Sequence, residues 1–200
     1  ALSGPFGPGP MLVAGVFVGG KARRMGGVAK GLLPHPSEPG TVVEHVVREA
    51  RRIGAEVVLV GDHPAYRGLG IPCIEDAAQD VGPAGGLLAL LRHAGTGIAV
   101  ALACDMPHVP GQLLQRLVQG VRDGAVAVVP RRGDKLEPLC AAYRAEPVAQ
   151  HVEACLRSGK TGMHRIARAA GATELVLSVE QAWWLDDWDD PSDLSDSHRE

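Results

Sequence analysis

Short apolar runs alternate with longer amphipathic stretches along this chain of 200 residues. Residues 11–18, MLVAGVFV, and residues 56–60, EVVLV, are apolar runs that end next to glycine. A continuous apolar run of this length is typical of a strand that is buried on both faces. The same pattern predicts five further strands, at residues 71–74, 98–104, 125–130, around 139–143 and 174–178.

The stretches between these strands have helical periodicity. Thr41 and Glu44 have the spacing of a capping box, which predicts a helix that continues to about Ile53. Its apolar positions fall on one face and are Val42, Val46 and Ala50. Further helices are predicted in the stretch GPAGGLLALLRHA and at residues 111–122, 146–158 and 162–170. The helix at 111–122 has an apolar inner face made of Leu113, Leu114, Leu117 and Val118.

Because strand and helix alternate, the predicted fold class is α/β: a three-layer α/β/α, Rossmann-like domain around a mainly parallel sheet. In such sheets, ligands bind beyond the carboxyl ends of the strands, near the point where the strand order reverses. Several predicted strands here are followed by polar or glycine-rich stretches, and we expect these to line one cleft. They read GGKARRMGG, GDH, EDAAQ and DMP.

The composition narrows the classes of function. Hydrophobic residues make up 46% of the chain and charged residues 22%, which is typical of a globular protein. The formal net charge of −3 argues against a generally basic nucleic-acid binder. No apolar run has the length that would span a membrane. We therefore expect neither nucleic acid nor a membrane among the partners.

The chain is predicted to form a single domain over residues 11–200. Residues 1–10 are dominated by glycine and proline and lack the features of a signal peptide, so we interpret them as a disordered lead-in or a cloning remnant. The cysteines show no CxxC spacing, which indicates reduced thiols and a cytoplasmic location. They are Cys73, Cys104, Cys140 and Cys155. The eight histidines show no metal-ligand spacing, and we expect surface or hydrogen-bonded side chains.

Residues 19–33, GGKARRMGGVAKGLL, combine five glycines with four lysine or arginine residues directly after the first predicted strand. Glycine lets backbone N–H groups approach a phosphate closely, and the cations compensate its charge. The spacing fits neither the Walker A pattern nor GxGxxG. From the residues alone, two interpretations stay open: a phosphate-binding loop and a solvated basic loop.

Asp105 follows the predicted strand at 98–104, in the segment CDMP. A carboxylate at this place suits a Mg²⁺ ion that bridges the protein to substrate phosphates. The alternative is that Asp105 only turns the chain before Pro107. A basic glycine-rich loop after the first strand, combined with an aspartate after a later strand, is more specific than either feature alone.

These segments resemble the MobA-like nucleotidyltransferases, which transfer a nucleotide to molybdopterin. The stretch LVAGVFVGGKARRMGGVAKGLLP resembles the family signature LAGGxSxRMGxDKxLL, and CDMPHVP resembles the metal-binding segment CDxPxxP. CIEDAAQDVGPAGGL resembles a family segment that ends in GPLAG. EPLCAAY resembles the segment EPLxALY, and LDDWDDPSDL resembles the closing segment NxNTPEDL. The likeness follows the family order and spans roughly residues 12 to 194.

The resemblance implies roles for the residues at matching positions. Arg24, Lys30 and Asp105 would be the catalytic residues, with the two cations on phosphate charge and Asp105 on Mg²⁺. A second metal contact would come from Asp187 or Asp189. The nucleotide would be bound by Val18, Gly19, Gly20, Lys30, Gly61, Asp76, Gly82 and Asp105.

The resemblance also implies the nucleotide-diphospho-sugar transferase type of fold and a reaction. It is strongest to the branch that uses GTP and Mg²⁺ to convert Mo-molybdopterin into its guanine dinucleotide form, with release of pyrophosphate. The implied partners are GTP, Mo-molybdopterin, and cofactor-delivery proteins or molybdoenzyme apoproteins. Two alternatives stay open: CTP or another phosphorylated acceptor with the same chemistry, and a GTP-binding regulatory protein without catalysis.

The chain departs from the family pattern at several positions. Ala29 stands where the family usually has aspartate before its lysine, which removes a carboxylate from the loop. Val18 and Ala84 replace the usual alanine and leucine, and Asp189 replaces an asparagine. Near the end of the sequence lie three tryptophans, of which we expect one or two to pack against the core. They are Trp183, Trp184 and Trp188.

Overall fold

The computed structural model describes residues 11–19 and 29–187, which build one eight-stranded sheet with helices on both faces. The strands are β1 Leu12–Phe17, β2 Glu56–Val60, β3 Cys73–Ile74, β4 Ile98–Ala103, β5 Ala127–Arg132, β6 Lys135–Leu136, β7 Cys140–Arg144 and β8 Thr173–Val176. The α-helices are α1 Val42–Arg52, α2 Pro83–Ala94, α3 Gly111–Arg122, α4 Ala145–Arg157 and α5 Met163–Ala169. The 3₁₀-helices within these described residues are Lys30–Leu32, Pro64–Leu69 and Val179–Leu185.

The sheet has the strand order β3-β2-β1-β4-β7-β5-β6, and β8 pairs with β5. Strand β1 lies in the middle and is parallel to both β2 and β4. The chain places β2 and β3 on one side of β1 and β4 on the other, so the strand order reverses between β1 and β4. Sheets of this kind bind ligands at that reversal, beyond the carboxyl ends of the strands.

Strand β7 runs antiparallel between β4 and β5, so the sheet is mixed but mostly parallel in the half that contains β1. One apolar core lies between the sheet and the helices α1 and α3, and a second lies between the sheet and α2, α4 and α5. The predicted three-layer α/β/α architecture is therefore confirmed. Within the described ranges, none of the helices has both the length and the apolar character needed to cross a membrane.

The helix α1 begins as the capping box predicts. The backbone N–H of Thr41 donates to Glu44 Oε2 over 2.7 Å, which satisfies a donor at the helix start. The predicted inner face is confirmed, because Val42, Val46 and Ala50 are fully buried. The predicted helix at 111–122 coincides with α3, and its predicted inner face is also buried.

Some predicted strand bounds were wrong by a few residues. The third strand covers only Cys73–Ile74, because only these residues pair with β2, whereas residues 71–74 were predicted. The fifth strand is Ala127–Arg132 rather than 125–130, since it continues past Pro130 to pair with β6 and β8. Apolar content alone does not reveal where backbone pairing starts and stops.

Two glycines let α2 lie close to the sheet. A Cβ atom on Gly15, in the middle of β1, would lie 2.7 Å from a methyl carbon of Leu90. A Cβ atom on Gly86 would lie 2.7 Å from Val60 Cγ1 and 2.9 Å from Phe17 Cε1. Real Cβ atoms do not approach so closely, so a larger residue at either position would force the neighbouring side chains to shift.

Candidate functional site

Lys30 and Asp105 meet beyond the carboxyl ends of the neighbouring strands β1 and β4. Asp105 comes two residues after β4, and Lys30 begins the 3₁₀-helix that follows the loop after β1. Lys30 Nζ lies 3.9 Å from Asp105 Oδ2, and each side chain is 21% exposed. A cation and a carboxylate are thus held side by side at the strand-order reversal, with access to solvent.

A buried contact beside this pair fixes the backbone next to Lys30. The N–H of Gly31 donates to the hydroxyl oxygen of Tyr66 over 3.1 Å, and that oxygen lies 3.6 Å from Cys104 Sγ. A Cβ atom on Gly31 would lie 2.9 Å from the carbonyl oxygen of Cys104. The residues adjacent to Lys30 and Asp105 are therefore packed directly against each other, so that the backbone sets the spacing of the two charged groups.

The donor set suits a hard divalent cation. The Asp105 carboxylate offers oxygen, which Mg²⁺ prefers over nitrogen and sulfur. The neighbouring Cys104 is a poor alternative ligand or nucleophile, because burial raises the pKa of its thiol to about 11 and keeps it protonated. Asp105 therefore fits as the residue that would hold a metal ion.

A second close backbone contact joins the ends of β1 and β2. The N–H groups of Val18 and Gly19 donate to the carbonyl oxygen of Val60 at 3.0 and 3.3 Å. A Cβ atom on Gly61 would lie 2.8 Å from Gly19 Cα, and Gly61 has a φ of +89°, a conformation that favours glycine. The structure therefore brings the predicted residues Gly19 and Gly61 into contact and leaves Gly19 exposed.

The side chain of Asp76 points toward this glycine contact. Its Oδ1 would lie 3.9 Å from a Cβ atom on Gly61 and 3.0 Å from one on Gly86. Burial raises the pKa of the Asp76 carboxyl, and no side-chain hydrogen bond to it is found within the described residues. Gly82 is exposed and caps the N-terminus of α2, eight residues from the end of β3. Asp76 is therefore a half-buried acceptor near the end of β2.

Val18 is buried and lines a cavity of about 160 Å³ on the β2 side of the glycine contact. Gly61, Tyr66 and Cys73 line the same cavity. The predicted residue Val18 therefore borders a small cavity. Its side chain is larger than the alanine of the family pattern.

The last described 3₁₀-helix approaches the Asp105 loop from the other side. The rings of Trp183 and His108 have centroids 4.9 Å apart, and burial lowers the pKa of His108.

Asp186 forms a close ion pair with Arg132. Asp187 is exposed, and its charge is among the smaller contributions that raise the pKa of Lys135, after the hydrogen bond that Lys135 donates to Glu137. Trp184 is buried as expected for a packing residue, whereas Trp183 is half exposed.

Several predicted residues lie outside the described residues. These are Gly20, Arg24, Trp188 and Asp189. Their assigned roles stay predictions.

Sequence reasoning missed Tyr66, and it missed the contacts made by His35 and His45. All three side chains form hydrogen bonds with backbone atoms of other segments, and such contacts leave no spacing pattern in the sequence. The only available signal for Tyr66 was an aromatic residue in a glycine-rich loop, which is weak evidence by itself.

Comparison with known proteins gives a family match over most of the chain. Residues 14–175 match the model of the MobA-like NTP transferase domain. The matched range begins within β1, ends within β8 and includes Lys30, Asp76 and Asp105.

Individual relatives agree with the family match. The molybdenum cofactor guanylyltransferase of Serratia proteamaculans is 29% identical over 170 residues, which is 84% of each chain. That of Pseudomonas putida is 35% identical over 127 residues, which is 62% of this chain and 65% of the relative. Other curated relatives of the same name are matched over 53% to 66% of their own length.

A solved structure agrees as well. The molybdopterin-guanine dinucleotide biosynthesis protein A of Archaeoglobus fulgidus superimposes with a TM-score of 0.74 at 25% sequence identity. The superposition covers 93% of this chain and 96% of the other.

Proposed function

The chain belongs to the family of MobA-like NTP transferases, and on that premise we propose that it transfers GMP from GTP to molybdopterin that carries molybdenum. The products are molybdopterin guanine dinucleotide and pyrophosphate. The relatives named molybdenum cofactor guanylyltransferase support the choice of GTP and of the acceptor. The observation that carries the proposal is the Lys30–Asp105 pair, 3.9 Å apart at the reversal of the strand order.

The proposed reaction joins two anionic groups. The terminal phosphate of molybdopterin attacks the α-phosphorus of GTP, the bond to the β-phosphate oxygen breaks, and pyrophosphate leaves. The attacking group is already a phosphate anion, so the reaction requires neither a general base nor a covalent protein intermediate. The main demand on the protein is to place positive charge beside the phosphates.

Lys30 meets that demand from the protein side. Its ammonium group is partly exposed and lies beside Asp105, where it can contact an α- or β-phosphate oxygen. Asp105 would hold Mg²⁺, which when bound neutralises negative charge on the triphosphate. Arg24 and a second carboxylate, Asp187 or Asp189, complete the proposed set.

The nucleotide is proposed to lie along the contact between Gly19 and Gly61. Two backbones without side chains leave room for a ligand to approach the exposed N-terminal part of the loop after β1. Asp76 then supplies a hydrogen-bond acceptor for N–H or O–H groups of the nucleoside. This contact would repay the cost of burying a carboxylate that has no partner within the described residues.

Ala29 favours one alternative function. It removes a carboxylate immediately before Lys30, as in a protein that binds GTP and no longer transfers GMP. The same chemistry with CTP is a second alternative, because the described residues include no contact that separates guanine from cytosine. Delivery proteins, molybdoenzyme apoproteins and a cytoplasmic location remain predictions.

The test is pyrophosphate release from GTP or CTP in the presence of Mo-molybdopterin and Mg²⁺, for wild type and Asp105→Asn. The proposal expects release with GTP, little with CTP, and a loss of at least about 100-fold in Asp105→Asn, the scale of one lost transition-state contact. GTP binding without release supports the non-catalytic alternative. Release with CTP alone keeps the chemistry and changes the product.

A further inference from the structure

Three side chains from residues 35–49 hold two alternate residues of the loop that connects β4 to α3 and the first residue of α3 that follows it. His35 Nε2 lies 2.7 Å from the carbonyl oxygen of Pro107, and His45 Nε2 lies 3.0 Å from that of Val109. The N–H of Gly111 donates to Glu49 Oε2 over 2.8 Å. The loop held in this way is the one that begins with Asp105.

The two histidines donate in these contacts. A carbonyl oxygen can only accept, so each Nε2 carries the hydrogen. His35 Nδ1 accepts from the backbone N–H groups of Ser37 and Glu38, at 3.2 and 3.0 Å. Both nitrogens of His35 are therefore used, one to shape its own turn and the other to hold Pro107.

A metal site is the competing interpretation of this cluster. Ligand atoms of His35, Glu38 and His45 lie within 4.8 Å of one another. However, the guanidinium of Arg48 contacts Glu38 Oε2 closely and lies 3.2 Å from His45 Nδ1. Since Arg48 supplies a cation there and His35 Nδ1 already accepts two hydrogen bonds, the geometry favours a hydrogen-bonded clamp.

The three side chains differ in how deeply they are buried. His45 and Glu49 are both buried, at 7% and 5% exposure. They lie one helical turn apart on α1, and removing either would leave a buried group without its partner. His35 is only half-buried and precedes α1, so its contact can be altered with less effect on the core.

His35 also joins the two segments that carry the charged pair. It lies five residues after Lys30, while Pro107 lies two residues after Asp105. At the other end of the same two segments, Gly31 packs against the backbone of Cys104. The segments are thus held together on both sides of the pair, by backbone packing at one end and by the His35 hydrogen bond at the other.

We propose that His35 is a positioning residue, which keeps Asp105 in place for metal binding through its hydrogen bond to the carbonyl of Pro107, with His45 and Glu49 supporting the same loop. The inference rests on the proposed function, since it assigns Asp105 to the metal. Groups that orient metal ligands typically change metal affinity or activity by about 10- to 100-fold when they are removed.

The test compares two substitutions of one position. In His35→Gln the amide nitrogen reaches the place of Nε2 and can still donate to Pro107. In His35→Asn the side chain is too short for that contact, although its amide oxygen can replace Nδ1 as acceptor for the turn. His164→Asn, at an exposed position of α5, is the control for a histidine without this contact.

In pyrophosphate-release assays we expect His35→Asn to raise the Mg²⁺ concentration for half-maximal activity by about 10-fold. His35→Gln should recover most of that loss, and melting temperatures should be similar. The proposal is overturned if both variants keep the wild-type Mg²⁺ requirement, or if both lose activity equally.

Hydrogen exchange of the amides at residues 104–109, without any substrate, separates this inference from the proposed function. Faster exchange in His35→Asn than in His35→Gln supports the clamp even if wild type transfers no nucleotide. Equal exchange in the two variants rejects the clamp even if wild type is active.

Discussion

Gly19 and Gly61 stand so close that a Cβ atom on Gly61 would lie 2.8 Å from Gly19 Cα and 3.0 Å from Gly19 N. The backbones of the chain just after β1 and just after β2 are therefore in direct contact. This contact fixes where the loop after β1 begins. That loop is the proposed phosphate site.

We predict that Gly61→Ala weakens GTP binding by at least about 10-fold, equivalent to about 1.4 kcal/mol, because the added methyl group pushes the two strand ends apart. Gly54→Ala is the matched control. Gly54 has a similar φ of +80° but nothing within 4 Å of the added atom. Both variants should lose stability from backbone strain, whereas calorimetric titration with GTP should separate them. Equal affinities in the two variants would contradict this account.

Gly31→Ala is predicted to displace Lys30. The added methyl group would meet the carbonyl oxygen of Cys104 at 2.9 Å and the hydroxyl of Tyr66 at 3.0 Å. Overpacking of this kind costs about 1–3 kcal/mol, and each kcal/mol lowers the melting temperature of a chain of this size by about 2–4 °C. The activity per amount of folded protein should also fall, because Lys30 is displaced. The control is Gly68→Ala, where the added atom has open space; similar melting temperatures for both variants would reject the prediction.

Asp76→Asn is predicted to stabilise the free protein at neutral pH and to weaken GTP binding. Burial raises the pKa of Asp76 above its ordinary value of 3.8, so the folded state binds the proton more tightly than the unfolded chain does. The resulting contribution to stability is fully present below that value and is lost as the pH rises through the raised pKa. Melting curves should therefore diverge in favour of Asp76→Asn as the pH increases. A melting difference that does not change with pH would count against the assignment.

Ala29→Asp is predicted to lower the Mg²⁺ concentration needed for activity. The substitution returns a carboxylate to the position before Lys30, where the family usually has one, and added negative charge favours cation binding. Ala29→Asn has the same size without the charge and should leave the Mg²⁺ requirement near that of wild type. If wild type only binds GTP, Ala29→Asp should gain pyrophosphate release. No difference between the aspartate and asparagine variants would remove Ala29 as an explanation.

Local sequence patterns predicted most of the helices and the central strands. The capping box of Thr41 and Glu44 and the periodicity of residues 111–122 depend on neighbours in the sequence, and both helices begin as predicted. The insertion of β7 between β4 and β5 depends on pairing between distant segments. Apolar runs carry no record of such pairing, so the order of the sheet was beyond this reasoning.

The site was predictable to a similar degree. Lys30 and Asp105 could be expected near each other, because both follow strands that end at one edge of a parallel sheet. The supporting contacts of Tyr66 and His35 could not be expected. Each side chain reaches a backbone atom of a distant segment, and a backbone partner leaves no residue pattern that would link the two segments.

Because Gly15 and Gly86 have no side chains, they set how closely α2 packs against the sheet. A methyl group at either position would crowd side chains between the helix and the sheet: those of Leu90 and Val60 at Gly15, and those of Val60 and Phe17 at Gly86. The width of the proposed nucleotide cleft, which α2 approaches with its N-cap residue Gly82, would then depend on packing inside the core. Substitutions inside the core would then tune the proposed cleft, while the residues that face it keep their identity.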